Sequence, residues 1–484
     1  MTGPTAWGGS VTVTRLPTDP ADLFAVLYDD LAADSEQFNR EADRWLDLPG
    51  FQETASQVEQ MAHSEGEIDQ ARLYSWMPPD SAAHRLAVLI GIDRALSHVN
   101  PRQDSVKAGA LGPLLRRYAK KGRFSTDNVR GAVLPRLTWP ARPAHQATMA
   151  EAFTAVIRVS EASWRAISHD RIKGSQDLPR SKRQVSIAVA PLLDSLQDID
   201  ISRISGCSHD PRTGKMVDGY VLGPVDRAEI RARIRGILSG LAKEKAVIGV
   251  LPEASLCNSL LAYWQELLRQ LVQDPNTDPR HYWILVGTGP IGVPNSAGKH
   301  SNRAVILDQS GEEVFSQDKV RDFSLTPKTI RDWGLAEKLD DAALAVEWIS
   351  RGSRIEVRES FSGRFAILIC EDITGPTCRS VLEDCGVSHL LVPIFAAPLR
   401  GGWEFPRSEA QQYVRQVGSW VLAVNSLVTA GDDKEESFIG ILAGPSATSR
   451  EEWGDCHMEF IKHNGPHRIG VVTLPPDPGL PQIS

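Results

Sequence analysis

Three residues of the C-terminal half carry the side chains that nucleophilic catalysis at a carbonyl carbon needs. Cys370 follows the apolar run 365–369, Glu253 follows the apolar run 247–251, and Lys319 follows a hairpin. A thiol is mostly protonated at neutral pH, so it needs a neighbouring base or cation to attack. A glutamate with a raised pKa can accept that proton and return it to a leaving amine. A lysine ammonium can stabilise the charge that develops on the attacked group.

Each of these residues also has a purely structural interpretation. Buried cysteines are common in protein cores, and charged residues at the ends of elements usually face solvent. Their joint position favours a catalytic set, because reacting groups in open α/β sheets gather beyond the carboxyl ends of strands. We therefore predict that Glu253, Lys319 and Cys370 form one site.

The elements that would position these residues alternate between strands and helices, which predicts an α/β domain with a mixed sheet. Strands are predicted near 185–190, 247–251, 282–287, 304–308 and 313–315, with helices near 227–243 and 260–272. The stretch Gly287–Gly292 fits the G-x-G-x-x-G pattern, but no helix-forming segment follows it. It predicts a turn and not a dinucleotide site.

The N-terminal region is predicted to be mostly helical and contains no recognisable catalytic pattern. Apolar spacing predicts helices over about 22–66, 81–100, 105–121 and 145–172, the last carrying Met149, Phe153, Ile157 and Trp164. The polar, basic segment 179–184 is the best candidate for a linker. The predicted domains are therefore an accessory domain over 1–178 and an α/β domain over 185–476.

Charge is unevenly distributed along the chain. Residues 1–100 contain 6 Lys and Arg against 16 Asp and Glu, whereas residues 101–184 contain 17 against 6. The basic block at 101–142 could bind nucleic acid or another polyanion. The favoured alternative is that it packs against, or offsets, the acidic block beside it.

The six cysteines do not follow a metal-binding pattern. A zinc site from Cys378, Cys385 and the pair Cys456-His457 fits no accepted ligand spacing, so we predict neither a metal site nor a cofactor. No apolar run is long enough to span a membrane, and the N-terminus has no secretory signal pattern. The expected location is cytoplasmic, with reduced thiols.

Read in chain order, these motifs resemble those of the nitrilase, or carbon–nitrogen hydrolase, superfamily over about residues 185–475. The matching segments are Pro252-Glu253, the hairpin from Asn302 to Lys319, and Ile369-Cys370-Glu371-Asp372. The resemblance implies a nitrilase-like αββα sandwich that often dimerises, with Glu253, Lys319 and Cys370 as catalytic residues. A second, supporting glutamate of the family is assigned to Glu347.

The resemblance implies hydrolysis of a non-peptide C–N bond through a thioester on Cys370. Nitrilases usually have Trp after the cysteine, so Glu371 at this position favours an amide over a nitrile as substrate. The motif Cys370-Glu371-Asp372 resembles that of the glutaminase domain attached to NAD synthetases. No Ser-Gly-Gly-x-Asp loop of a synthetase follows. Glu371 and Arg400 are predicted to contact substrate, Arg400 through a substrate carboxylate, although an exposed loop arginine is the plainer interpretation.

A second hypothesis belongs to a different functional class. The nitrilase-like domain could serve as a scaffold or sensor in a regulatory protein, with the N-terminal region binding a protein partner or a polyanion. The complete set of Glu253, Lys319 and Cys370 favours the hydrolase. The expected partners of that hydrolase are a small amide or nitrile and further copies of the chain, as a homodimer or larger homo-oligomer, with no membrane.

Overall fold

The N-terminal region folds around a core of packed helices. The computed structural model describes residues 16–33, 35–78, 81–101, 108–138, 149–178, 185–210, 213–273, 283–340, 343–360, 362–399, 405–430, 434–445, 456–464 and 468–474. The first helices are α1 Pro20–Ala32, α2 Ser35–Leu46, α3 Phe51–Glu65, α4 Gln70–Trp76, α5 Ala82–Ser97 and α6 Gly112–Lys121. This confirms the prediction of a helical N-terminal region.

Helix α5 is the centre of this core. Ten of its sixteen residues are buried, so it is apolar on most sides, as expected of a helix surrounded by others. Helix α1 begins with Asp19 as N-cap, whose carboxylate accepts the backbone N–H of Ala21 at 3.0 Å and of Asp22 at 3.2 Å. Pro20 occupies the first helical position, where its missing N–H costs nothing.

The predicted fourth helix over 145–172 is wrong. Residues 145–148 lie outside the described part, and the rest of the range forms a 3-10 turn, a strand, a helix and a strand: Met149–Ala152, β2 Val156–Val159, α7 Glu161–Ala166 and β3 Ile167–Arg171. The spacing of Phe153 and Ile157 fits a helix. Residues 156–159 form a strand instead of a helix, because β2 is rich in β-branched residues and pairs antiparallel with β1 Ala132–Pro135.

The β1–β2 ribbon joins the two halves of the molecule. Val133 and Val156 are buried in the N-terminal helical core. Their neighbours Leu134 and Ile157 are buried in the core of the C-terminal half. Since successive strand residues point to opposite faces, one two-stranded ribbon contributes to both cores.

The C-terminal half is a four-layer sandwich of helices and sheets. Its strands are β4 Val185–Val189, β5 Ile199–His209, β6 Met216–Pro224, β7 Ile248–Val250, β8 Trp283–Ile291, β9 Ser301–Asp308, β10 Glu313–Asp318, β11 Ser324–Leu325, β12 Ala345–Glu347, β13 Ile355–Ser360, β14 Gly363–Ile367, β15 His389–Ile394, β16 Trp420–Asn425, β17 Gly440–Pro445, β18 Cys456–Ile461 and β19 Gly470–Leu474. Its helices are α8 Ala228–Lys243, α9 Asn258–Gln273, α10 Pro327–Asp332, α11 Pro376–Cys385 and α12 Phe405–Val417.

Two large sheets form the inner layers. One has the order β10-β9-β8-β7-β4-β19 and the other β18-β17-β16-β15-β14-β13-β3, while β11-β12-β6-β5 form a smaller sheet. Neighbours β4, β7 and β8 are parallel, as are β14, β15 and β16. The strands that precede Glu253 and Cys370 therefore lie near the middle of different large sheets.

Successive residues along a strand are buried in different cores of the sandwich. In β4, Ile187 and Val189 are buried in the core between the two large sheets, whereas Ala188 is buried in a second core that includes Ile234 of α8 and Trp264 of α9. Helices α11 and α12 pack on the other large sheet, with Leu382 and Tyr413 buried there. The predicted nitrilase-like αββα sandwich is confirmed.

The N-terminal region supplies the edge strand of one large sheet. Strand β3 pairs parallel with β13, with Ile167 opposite Ile355. The predicted linker at 179–184 lies outside the described residues, and the division into domains over 1–178 and 185–476 stays a prediction. The pairing of β3 means that the N-terminal part and the sandwich share one sheet.

A buried polar cluster accompanies this strand. The Glu359 carboxylate accepts a hydrogen bond from Tyr118 at 3.2 Å, contacts Nε2 of His169 at 3.1 Å and pairs with the guanidinium of Arg364. Arg364 also donates to the backbone carbonyl of Pro135 at 3.0 Å. Burial opposes ionisation of Glu359, but the charge of Arg364 and the bond to His169 hold its pKa below the usual value.

The basic block contacts the acidic block that precedes it. Arg117 pairs with Asp19 at 2.8 Å, and Arg158, farther along the same basic region, pairs with Asp29 at 2.7 Å. These contacts support the interpretation that the two blocks offset each other; binding of a polyanion stays untested. Among the described residues, no helix combines the length and apolar character that crossing a membrane requires.

Candidate active site

Glu253 lies in a sharp turn three residues after β7. Its N–H donates to the carbonyl of Ile394 in the other large sheet, at 3.3 Å. The turn packs so closely on β8 that a Cβ at Gly287 would lie 1.8 Å from Ser255 Oγ, and one at Gly289 would lie 1.8 Å from Leu256 O. The first two glycines of the G-x-G-x-x-G pattern therefore allow the glutamate turn to pack, and they lie within strand β8.

Lys319 follows the hairpin of β9 and β10, and its backbone N–H donates to the carbonyl of Asn302 at 2.8 Å. Its ammonium lies 2.8 Å from Glu253 Oε1 and 2.7 Å from Glu347 Oε2. Glu347 ends the short strand β12 of the small sheet. The structure thus brings the predicted lysine, its predicted partner glutamate and the predicted supporting glutamate together, all at most 6% exposed.

Asn302 connects the two glutamates. Its Nδ2 donates to Glu253 Oε1 and to Glu347 Oε1, both at 2.9 Å. Its Oδ1 accepts the hydroxyl of Thr288 at 2.7 Å, which fixes the orientation of the amide. Two buried carboxylates that share the same partners would repel each other. Lys319 and Asn302 together offset this repulsion between Glu253 and Glu347.

Cys370 lies in a 3-10 turn, Cys370–Thr374, that begins three residues after the end of β14. Its φ is +49°, a left-handed conformation that residues with a Cβ rarely adopt. Such strain concentrates at functional positions, where the surrounding structure holds it. Cys370 Sγ lies 3.8 Å from the carbonyl of Phe395, whose N–H donates to Glu253 Oε2 at 3.1 Å. One residue of the neighbouring strand end therefore contacts both thiol and glutamate.

Asp372 joins the nucleophile turn to the lysine loop. Its carboxylate accepts the N–H groups of Val320 at 3.2 Å and Arg321 at 2.8 Å, and that of Ile369 at 3.2 Å. These donors adjoin Lys319 and Cys370 in sequence. Burial raises the pKa of Asp372 to about 7, against the opposing charge of Lys319 and the three N–H donors.

The thiol of Cys370 is held in its protonated form. Burial, followed by the negative charge of Glu253, raises its pKa well above the usual value, and the charge of Lys319 only partly opposes this. A hydrogen bond between the thiol and Glu253 acts in the same direction. The arrangement therefore presents a neutral thiol beside a carboxylate base, and not a preformed thiolate.

The ammonium of Lys319 is held in its charged form. Burial by itself lowers the pKa of an amine, but the carboxylates of Glu253 and Glu347 raise that of Lys319 well above its usual value. Burial also raises the pKa of Glu347, with Lys319 opposing. A permanent cation in a dry site is suited to stabilising a developing oxyanion.

A cavity of about 20 Å³ opens onto Glu253, Lys319 and Glu347. That volume accommodates about one water molecule. The remaining wall is mostly apolar and includes Phe323 and Trp333. The site therefore holds a base and a cation beside a mostly apolar wall, with the nucleophile turn nearby.

The two predicted substrate contacts differ in outcome. The Glu371 carboxylate accepts the Thr374 hydroxyl at 3.1 Å and lies 3.7 Å from Arg321, and it is not among the described residues lining the cavity. The structure therefore gives it local partners and no place in the cavity. Arg400 lies outside the described residues.

Sequence reasoning missed Asn302, Thr288 and Asp372 as site residues. Thr288 is a buried polar residue in the mostly apolar strand β8, a pattern that could have marked it, and Asn302 is a buried amide near the start of β9. Asp372 was visible only as part of a motif, because two of its three partners are backbone groups 51 and 52 positions away. Within the described ranges, no group of three His, Cys, Asp or Glu side chains is arranged to hold a metal ion.

Comparison with known proteins finds a family resemblance in the central part of this chain. Residues 220–419 match the family model for carbon-nitrogen hydrolases, a range that contains Glu253, Lys319, Glu347 and Cys370. This match confirms the resemblance predicted from the motifs. No family model matches the N-terminal region. None of the curated protein sequences matches this chain.

Several solved structures are similar to the chain at low identity. A Saccharomyces cerevisiae member of branch 10 of the nitrilase superfamily is 14% identical, with 61% of this chain and 91% of that chain covered and a TM-score of 0.37. An amidase from Nesterenkonia sp. is 14% identical, with 61% and 92% covered and a TM-score of 0.35. A glutamine-dependent NAD+ synthetase from Acinetobacter baumannii is 14% identical, with 62% and 47% covered and a TM-score of 0.35.

Proposed function

We propose that this protein hydrolyses the C–N bond of a small amide through a thioester on Cys370. The observation that carries the proposal is the placement of the Lys319 ammonium within 2.8 Å of Glu253 and 2.7 Å of Glu347, at a buried cavity beside the strained nucleophile turn. A buried charge cluster of this kind costs free energy, and such a cost is commonly retained for function.

In the first half of the reaction, Glu253 accepts the Cys370 proton as Sγ attacks the amide carbon. The planar amide becomes a tetrahedral intermediate with a negatively charged oxygen, which the ammonium of Lys319 stabilises. Glu253 then returns the proton to the amide nitrogen. The C–N bond breaks, ammonia or an amine leaves, and the acyl group remains on Cys370 as a thioester.

In the second half, water occupies the position of the departed amine. Glu253 accepts a proton from this water as its oxygen attacks the thioester carbon. The resulting oxyanion again faces Lys319, and its collapse breaks the C–S bond. The sulfur recovers the proton from Glu253, so one amide and one water yield one acid and one amine.

Glu347 and Asn302 position the catalytic groups in both halves of the reaction. Glu347 keeps Lys319 charged and in place, and Asn302 keeps the two carboxylates apart. The high pKa of the Cys370 thiol suits a mechanism in which the proton moves during attack. The sequence Cys370-Glu371-Asp372 supports an amide over a nitrile, while cytoplasmic location and self-association stay predictions.

The test is intact-mass spectrometry of the protein after brief exposure to simple amides and nitriles. The expected result is an acyl adduct on Cys370 that decays with release of the acid. The variant Cys370→Ala should show neither adduct nor turnover, whereas Cys456→Ala, which removes a thiol from β18, should behave like the native protein. Absence of any adduct and of any turnover would refute the proposal and favour the scaffold alternative.

A further inference from the structure

Helix α11 continues directly from the turn that carries Cys370. Only Gly375 separates the 3-10 turn Cys370–Thr374 from the first residue of the helix. The N–H of Gly375 donates to the carbonyl of Asp372 at 3.1 Å, and its carbonyl accepts the N–H of Arg379 at 3.1 Å. Turn and helix are therefore one hydrogen-bonded unit, so a displacement of α11 would reach the nucleophile.

Arg364 joins the C-terminal end of α11 to the N-terminal region. Its fully buried guanidinium donates to the carbonyls of Cys385 and Gly386, the latter at 3.2 Å. The same guanidinium donates to the carbonyl of Pro135 in β1 at 3.0 Å. Arg364 belongs to β14, the strand that precedes Cys370. One side chain thus connects the strand before the nucleophile, the helix after it and a strand of the N-terminal region.

Strand β2 and helix α7 of the N-terminal region contact the same end of α11. A Cβ at Gly386 would lie 2.2 Å from Cδ1 of Ile157, so β2 lies directly against the residue that caps the helix. The Asp384 carboxylate accepts the hydroxyls of Ser160 at 3.3 Å and of Ser163 at 2.5 Å. A negative charge in the last turn of a helix is unfavourable because of the helix dipole, and these two donors offset it. The N-terminal region therefore fixes the end of α11 by one apolar and one polar contact.

The conformation of Cys370 gives these contacts a functional consequence. Its left-handed φ of +49° is unfavourable and persists only where the surrounding structure holds it. Asp372 holds the turn on the side of the Lys319 loop. Helix α11 holds the turn on its other side, and α11 is itself held against the N-terminal region by Arg364 and Ile157.

We propose that the N-terminal region positions Cys370 for attack, and that Ile157 is the residue through which it acts on helix α11. The inference rests on the proposed amide hydrolysis, in which Cys370 is the nucleophile, and gives the N-terminal region a role in that reaction. Ile157 is a positioning residue and takes no part in proton transfer. Its neighbour Val156 is buried in the N-terminal helical core instead, so the two residues separate support of α11 from support of that core.

The experiment compares Ile157→Ala with Val156→Ala in the full chain. Both changes remove a buried β-branched side chain from the same strand, and urea unfolding identifies the variants that remain folded. Hydrogen exchange of residues 370–376 and iodoacetamide alkylation of Cys370 at pH 8 report how firmly the turn is held. Steady-state kinetics with the best amide report the effect on turnover.

In Ile157→Ala, exchange of the turn and alkylation of Cys370 should each accelerate by about 10-fold, because the turn opens more often. The value of kcat should fall by about 10-fold, since a misplacement of about 1 Å can cost about 100-fold in rate, while KM changes by less than about 2-fold. Val156→Ala should leave all of these quantities near their native values.

Two milder variants make the same comparison with less risk to folding. Ser163→Ala removes a hydroxyl that bonds Asp384 without opening a cavity in the core, and it should shift exchange, alkylation and kcat in the same direction by a smaller factor. Ile157→Val keeps most of the contact with Gly386 and should restore most of the kcat that Ile157→Ala loses.

The inference is overturned if the folded variants at Ile157 and Ser163 keep the native exchange, alkylation and kcat. It is also overturned if Val156→Ala changes these quantities as much as Ile157→Ala does. If no amide is turned over by the native protein, the proposed hydrolysis fails. Exchange and alkylation would then still decide whether the N-terminal region holds the turn of Cys370.

Discussion

The carboxylate of Asp372 accepts the backbone N–H of Arg321 at 2.8 Å, across 51 positions of sequence. With its bonds to Val320 and Ile369, it fixes the distance between the loop that carries Lys319 and the turn that carries Cys370. Asp372 touches neither atom that would react. Its expected role is to position the cation relative to the nucleophile.

Replacement of Asp372 by Asn should therefore lower kcat more than it raises KM. A displacement of catalytic groups by about 1 Å can cost about 100-fold in rate, and we expect a loss of that order in Asp372→Asn. Steady-state kinetics with the best amide measure it. Asp47→Asn, an exposed change in the N-terminal region, is the control, and an unchanged kcat in Asp372→Asn would contradict the positioning role.

The same residue predicts a pH dependence of stability. Its folded-state pKa is raised from 3.8 to about 7, so the protonated form is the one that folding favours. The associated stability is fully present below about pH 4 and is lost as the pH rises through about 7. Urea unfolding should show the native protein losing up to about 4 kcal/mol relative to Asp372→Asn over that range. Parallel pH profiles for the two proteins would exclude this behaviour.

Alkylation of Cys370 should also depend on pH in a defined way. Because burial and Glu253 raise the thiol pKa well above its usual value, iodoacetamide should react slowly at pH 7 and faster up to pH 9, without a plateau. Glu253→Gln removes the repelling charge and lowers that pKa, so alkylation should accelerate even though turnover is lost. Peptide mapping identifies the labelled thiol. A plateau below pH 8 in the native protein would show a preformed thiolate instead.

Asn302 provides a test of the buried carboxylate pair. In Asn302→Ala, Glu253 and Glu347 each lose a donor at 2.9 Å, and Lys319 alone must separate them. The loss of a hydrogen bond to a buried charge typically costs about 1.5 to 3 kcal/mol, so kcat/KM should fall by about 10-fold to 100-fold. Asn258→Ala, a change to an exposed amide that bonds Gly292, should leave kcat/KM near the native value. Equal activity in both variants would show that Asn302 is dispensable.

Glu359 tests the junction with the N-terminal region. Glu359→Gln leaves the fully buried guanidinium of Arg364 without its counter-charge, a change that typically costs about 3 to 5 kcal/mol. Glu356→Gln, in the same strand but more exposed, should cost less than about 1 kcal/mol. Chemical denaturation compares the two free energies of unfolding. Similar values would mean that the buried cluster does not stabilise the junction.

Sequence reasoning predicted the elements of the sandwich well because their signals are local. The strands at 185–189 and 301–308 contain the short apolar runs 187–189 and 304–307, and helices α8 and α9 have regular apolar spacing. The segment at 156–171 was mispredicted for the opposite reason. Its strands depend on partners in β1 and β13, which local spacing does not reveal.

The same distinction between local signals and long-range contacts applies to the residues of the candidate site. Glu253, Lys319, Cys370 and Glu347 were assigned by motif order, and the structure places them together. The role of Asn302 could not be assigned, because it depends on distances between elements that are far apart in sequence. Asp372 acts through backbone N–H groups. Because all residues except proline have this group, the sequence does not identify the partners of Asp372.

The parallel pairing of β3 with β13 has a consequence for how the chain folds during synthesis. His169 contacts Glu359, which lies 190 positions later in the chain. At about 5 to 20 residues per second, the ribosome needs roughly 10 to 40 s to deliver the partner strand. Over that interval the N-terminal helices can fold, but β3 remains an unpaired strand. The short, polar and charged sequence of β3, Ile167–Arg171, is of the kind that resists pairing with other chains while the strand waits for its partner.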